Sequence, residues 1–168
     1  MCRTGKKEPY DSSTEKAKGL TVNDFGMDEL EAIAKPVREA HTFSEARKIL
    51  EGMVGRPMTS RSCLIAVLSN NSIKKNLSGP AVTDSVSRGA HLMAAANLDK
   101  LFANAIEPWP FELNPDKNNE NVKDVHRLYA PLAYDEKIIP VKITVKEMKS
   151  ETEGARIYSI EAIDAEIK

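Results

Sequence analysis

The sequence predicts an α+β domain in which N-terminal helices pack on a C-terminal antiparallel β-meander. Three observations predict it. Apolar residues recur at helical spacing between residues 42 and 107. Three strand-like runs, 125–134, 138–148 and 155–167, then follow one another across the short polar gaps DEK and KSETEG, which favours hairpins. Hydrophobic residues make up 41% of the chain and aromatics only 5%, so the shared core is mostly aliphatic.

The elements follow in order. Residues 1–20, rich in Lys, Glu, Ser and Gly, offer little to bury and read as a flexible arm. Residues 21–54 form a helical segment. A short helix is expected from Asp28 to Lys35, stopped by Pro36. Thr42 and Glu45 have capping-box spacing for a second helix whose stripe is Phe43, Ala46, Leu50 and Met53, with Gly52 and Gly55 ending it. GRPM (55–58) is a turn, and CLIAVLS (63–69) is expected to be a buried strand with Cys63 as a buried free thiol. Ser69 caps the short basic helix that carries Lys74 and Lys75. The 82–107 stretch is the longest helical one, with Leu92, Ala95, Ala96, Leu101, Phe102 and Ala105 on its apolar face and Asn97-Leu98-Asp99 as a break. Residues 107–121, with three prolines and Trp109, form a binding or lid loop in which Trp109 is either an anchor or a stacking platform.

Alternation sets the faces of the meander. Leu128, Ala130 and Leu132 oppose Arg127 and Tyr129. Ile139, Val141, Ile143 and Val145 oppose Lys142, Thr144 and Lys146. In the last run, Tyr158, Ile160 and Ala162 are expected on one side, with Ser159 and Glu161 on the other.

Composition excludes several classes. Lys plus Arg is 24 against 25 for Asp plus Glu, so the chain is no histone-like binder, although a local basic face is compatible with it. No apolar run of about 18 residues marks a membrane span, and the N-terminus has no signal-like apolar stretch, so a cytoplasmic protein is expected. The histidines are His41, His91 and His126, with no HxxxH or CxxC spacing, so no metal or other cofactor is expected. GRPM lacks the glycine pattern of a phosphate loop, and Ser69 lies in no GxSxG elbow.

From Gly55 onward the chain resembles an associated domain of phage and mobile-element polyvalent proteins. The resemblance rests on GRPMTSRS, AVLSNNSIKKNLSG, SVSRGAHLMAAANLDKLFANA, the Asp-Lys-Asn-Asn of PDKNNEN, VHRLYAPL, VKITVKE and IYSIEAI, in that order. The group is associated with the Barnase/EndoU/colicin/RelE-like ribonuclease fold, so the resemblance implies a nuclease-like α+β domain over residues 55–168. It implies a metal-independent endoribonuclease or toxin-like effector that cleaves RNA by 2′-hydroxyl attack, or, on the same fold, a non-catalytic RNA- or protein-binding module. RNA is the implied partner, with an immunity or host protein as a second.

Such cleavage needs a base, an acid and a cation for the phosphorane oxygens. His91 and His126 are the acid–base candidates, and Arg127 the phosphate ligand beside them. Lys142, Thr144 and Lys146 supply a polar strand face, with Tyr129 and Ser159 as neighbours and Glu161 as a neutralising group or base. Adjacent strand residues face opposite sides, so His126 and Arg127 share a site only at a bulge or a strand end.

Overall fold

The computed structural model describes residues 27–77, 85, 87–107, 112–113, 122–149 and 154–162. The arm expected over residues 1–20 and Trp109 lie outside them.

Among the described residues, five helices precede most of the sheet: α1 (Met27–Ala34), α2 (Phe43–Glu51), α3 (Asn70–Asn76), α4 (Arg88–Ala96) and α5 (Leu98–Asn104). Their starts are set by local chemistry. At α2, Thr42 is extended and its hydroxyl accepts from the Glu45 N–H at 3.1 Å. The Glu45 carboxylate reaches back to the His41 N–H at 3.4 Å, closing the box one residue earlier than the usual pattern. Ser69 caps α3 by accepting from the Ser72 N–H, and Ser87 caps α4 by accepting from the Ala90 N–H.

The 82–107 stretch breaks at Asn97, as its Asn-Leu-Asp suggested, and the side chain supplies the reason. The Asn97 carbonyl oxygen accepts from the Val37 and Arg38 N–H groups at 2.8 and 3.0 Å. Its amide donates to the Arg38 and Met93 carbonyls at 2.9 and 2.8 Å. One buried side chain thus holds the α4–α5 junction against the segment that follows α1. Beside it, Arg38 makes a two-pronged pair with Asp99 at 2.7 and 2.9 Å. Burial opposes ionisation of Asp99, but the Arg38 hydrogen bond, the Lys100 N–H and the Arg38 charge together outweigh it and hold the carboxyl below its ordinary range.

A small two-stranded sheet pairs β1 (Met58–Thr59) with β2 (Ile65–Ala66). The single buried strand expected over 63–69 is therefore shorter. The chain turns at Cys63, which has a φ of 71°, and residues past β2 instead make isolated parallel bridges, Val67 to Arg156 and Leu68 to Val54. That turn leaves Cys63 half-buried, and it is disulfide-bonded rather than a free thiol. The chain's other cysteine is Cys2.

The main sheet has the order β3-β4-β5-β6, all antiparallel, from β3 (Glu112–Leu113), β4 (Val122–Tyr134), β5 (Lys137–Met148) and β6 (Ala155–Ala162). The β4–β5 hairpin turns on two residues, Asp135 and Glu136, both at positive φ (52° and 62°). That handedness matches the strand twist, as in type I′ turns. β3 lies within the expected loop; two residues without apolar alternation gave no strand signal.

Register assigns the faces. Leu128 stands opposite Ile143, Ala130 opposite Val141, Leu132 opposite Ile139, and Ile143 opposite Ile160. These side chains are buried and join Ala40, Ala46, Leu50 and Met53 and the apolar residues of α3, α4 and α5 in one cluster. Helical segment and sheet therefore share one core. Each fully buried large aliphatic side chain of this face contributes about 1.5–3 kcal/mol.

The expected face of β6 needs a correction. A bulge falls where Thr144 pairs with Ser159 but Val145 pairs with Ile157. The extra residue is Tyr158. Ile157 and Ile160 thus both reach the core, at 0% and 1% exposure, while Tyr158 remains half-exposed. Among the described residues no helix is long and apolar enough to cross a membrane.

Candidate nucleic-acid interface

On the sheet side opposite the apolar cluster, Arg127 stands across from Thr144 and Thr144 across from Ser159. Tyr129 faces Lys142, which faces Glu161; Val125 faces Lys146, which faces Arg156. The register therefore places Arg127, Lys142, Lys146 and Arg156 on one surface.

That surface is not uniformly open. Tyr129 is 3% exposed and Thr144 8%, and Pro131 and Pro140 are buried beside them. A ligand lying on it meets the partly exposed Arg127, Lys142, Lys146 and Ser159 before it meets Tyr129 or Thr144. Arg156 and Lys75 are exposed at the β6 edge, where α3 packs. There the Lys75 and Lys146 ammonium nitrogens lie 3.0 and 3.4 Å from the centroid of the Tyr158 ring. Burial, and then the Lys146 charge, lower the Lys75 pKa from its ordinary value.

The two histidines lie elsewhere. His91, on α4, is fully buried. Its Nε2 donates to the Asn76 carbonyl, and its Nδ1 accepts from the Ser85 hydroxyl at 2.7 Å, an arrangement that fits a neutral ring. Asn76 in turn accepts from the Ile160 N–H at 2.9 Å through its side chain. His91 thus helps to fasten α3 to α4 and β6.

His126 stands opposite Val145, on the core face, and Arg127 opposite Thr144, on the polar one. The β4 bulge, between Val122 and Asp124, comes too early to bring the two together. His126 sits instead between carboxylates. Its Nδ1 lies 3.2 Å from both Glu107 carboxylate oxygens, and its Nε2 lies 3.1 Å from Glu147. The His126 and Glu107 side chains are each 8% exposed, that of Glu147 35%. Burial opposes protonation of the ring, yet the hydrogen bonds and charges of Glu107 and Glu147 outweigh it and raise the His126 pKa. Asp124, nearby and bonded to Glu147, is raised as well, by burial and then by the Glu147 charge. Lys123 approaches Glu147 from the other side at 4.0 Å.

Among the described residues no group of three or more His, Cys, Asp or Glu is arranged to hold a metal ion. Around His126 the reason is visible: Glu107 and Glu147 occupy opposite ring nitrogens, which cannot both face one ion.

Strand alternation alone puts Arg127, Lys142 and Lys146 on one face. Glu107 and Glu147, which lie 19 and 21 residues from His126, carry no local signal of their pairing with it, and the Tyr158 contact depends on the bulge.

The fold is an α+β domain with a helix-backed antiparallel sheet and a cation-bearing outer face. The chain belongs to the large polyvalent protein-associated domain 3 family, whose description matches residues 39–158. No curated protein and no solved structure matches it.

Proposed function

We propose that this domain binds RNA through the polar face of its sheet, as a non-catalytic module. The register carries this reading: Arg127, Lys142, Lys146 and Arg156 project from one surface, at the two-residue alternation of neighbouring antiparallel strands. Cations so spaced suit a phosphate backbone, and tyrosine and serine are common companions in such contacts. The separation of His126 from Arg127 supports binding over cleavage, since the acid–base candidate and the phosphate ligand face opposite ways.

The test is binding of the full chain to a labelled single-stranded RNA over a salt series. Arg127→Ala with Lys142→Ala should flatten the dependence of log affinity on log salt by about 0.7 per lost contact. Absence of RNA binding by the wild type at low salt defeats the proposal.

A second reading, metal-independent RNA cleavage by 2′-hydroxyl attack, draws support from the His126–Glu107 pair. A carboxylate on Nδ1 orients the ring, and Nε2 points at Glu147, whose side chain is open to solvent. Incubation with total RNA in EDTA decides it. Cleavage that leaves a cyclic phosphate and drops by about 10²–10⁴ in His126→Ala would establish it over the binding module. His91→Ala, alone and combined with His126→Ala, completes that comparison, with folding checked in parallel.

A further inference from the structure

We infer that the cavity between the segment entering α2, the start of α4 and the end of β4 docks the C-terminal residue of a partner polypeptide. That residue's carboxylate meets Arg88 and Tyr134, and its aliphatic side chain enters the cavity. The site lies on the helix side of the sheet, since Tyr134 continues the row Leu128, Ala130 and Leu132 to the end of β4. It is therefore separate from the cationic outer face and does not rest on the RNA-binding reading.

The cavity sets the size of its occupant. Its volume is about 210 Å³. An apolar cavity of about 150 Å³ takes a body the size of benzene, and pockets for whole small molecules begin near about 300 Å³. One aliphatic side chain falls between these limits. The lining suits it: Ala40 and Leu92 are buried and Met93, half-buried, is joined to the core beside them. Methionine adapts its shape to what packs on it. Arg88 and His41 also line the cavity and are exposed, so its mouth opens to solvent. An occupant anchored there continues outward, as the end of a longer chain does.

The polar groups at the mouth are donors. The Arg88 guanidinium lies 4.6 Å from the centroid of the Phe43 ring, whose face holds it in place. Among the described residues Arg88 makes no ion pair, and the Tyr134 hydroxyl makes no hydrogen bond. A Cβ at residue 89 would collide with that hydroxyl, so Gly89 is what lets the phenol lie against the first turn of α4. No carboxylate lines the cavity. Glu39 and Glu45, beside it in sequence, meet His41 instead, one 3.5 Å from its Nε2 and the other accepting from its N–H.

A carboxylate complements this set. Its two oxygens match the guanidinium fork, and it accepts from a hydroxyl. Both donors border a cavity of one side chain's size, which puts them within reach of one carboxylate. A chain terminus carries a carboxylate and an aliphatic side chain on the same carbon. A mid-chain acidic residue would need a second residue to fill the cavity.

The full chain, isotope-labelled, is titrated by NMR with a short glycine–serine peptide that ends in leucine with a free carboxylate. Three comparison ligands each lack one part: the same peptide amidated at its C-terminus, the same peptide ending in glycine, and isocaproate, the aliphatic acid without a chain. The Gly89 amide and the Met93 methyl report on the cavity. Wild type is compared with Arg88→Gln, Tyr134→Phe, and Lys48→Ala as a surface control on α2. The leucine-ended acid should move both signals saturably. Amidation, or loss of the leucine side chain, should weaken binding about tenfold or more. Arg88→Gln should weaken it about tenfold and Tyr134→Phe about threefold or more, with Lys48→Ala unchanged. Both site variants should keep the fold, since Arg88 is exposed and phenylalanine retains the ring. If the leucine-ended acid moves neither signal, binds no better than its amide, or binds both site variants as it binds wild type, the site is overturned. If isocaproate binds as tightly as the peptide, docking of a chain terminus is overturned. None of these outcomes alters the RNA reading, whose test is made at Arg127 and Lys142.

Discussion

His126 and Glu107 meet across the edge of the sheet. The imidazole Nδ1 of His126 lies 3.2 Å from each Glu107 oxygen, and both side chains are 8% exposed. Glu107 reaches this position because its neighbour Ile106 makes an isolated bridge to Tyr129, which ties the end of the helical region to the sheet. The histidine therefore acts as a buried link between β4, β5 and the chain leaving α5.

That link makes stability depend on pH. The folded state raises the His126 pKa above its ordinary 6.5, so the ring's contribution is complete below that value and is lost as pH rises through the folded one. Chemical denaturation at a series of pH values should show the midpoint falling on the alkaline side of about pH 6.5. Glu107→Gln should flatten this slope. A midpoint that rises over the same range contradicts the arrangement.

The two rows of β5 should respond differently to truncation. Val141→Ala or Val145→Ala removes apolar contacts at residues that are 0% exposed, and should cost about 1–3 kcal/mol. Lys142→Ala or Lys146→Ala should cost well under about 1 kcal/mol. Equilibrium unfolding in urea measures both, and the reverse order would place the cationic row inside.

Asn97 is expected to be the most sensitive polar position among the described residues. Its removal strands two N–H donors and two carbonyl acceptors at the junction of α4, α5 and the segment after α1. Asn97→Ala should cost at least about 2 kcal/mol by calorimetry or denaturant. Asn97→Asp should recover little of it, since a carboxylate cannot donate to the Arg38 and Met93 carbonyls.

The β4–β5 turn offers a gain. Glu136 sits at a φ of 62°, which a glycine adopts without the Cβ penalty. Glu136→Gly creates Asp-Gly in a two-residue turn and should stabilise by about 0.5–1 kcal/mol in urea, provided relief of strain exceeds the added freedom of the unfolded chain. A loss of stability would mean that the Glu136 side chain contributes more than its backbone conformation costs.

Much of the fold was legible because its signals are local. Thr42 with Glu45 and Ser69 before α3 each act over three residues, and each does in the structure what its type and spacing indicate. Asn97 marks the break its type suggests, but three of its four bonds reach Val37 and Arg38 from far along the chain. Strand alternation likewise located Val141, Ile143 and Val145 against Lys142 and Lys146. The surroundings of His126 were not legible, because its carboxylate partners come from other elements and are fixed by strand pairing. Alternation also failed at Tyr158. It assumes one residue per step, and the bulge adds one, which sends Ile157 inward and leaves the aromatic ring between the two lysines.

The extra residue in β6 has a consequence for how this domain can diverge. Were the Tyr158 codon deleted, Ser159 would still stand opposite Thr144 and Ile157 opposite Val145, now as consecutive rungs of an unbroken ladder. Core register would survive, and the ring that gathers Lys75 and Lys146 would vanish. A lineage can thus discard or regain this aromatic position by a single in-frame indel, with the folding pattern on the other side of the sheet left intact.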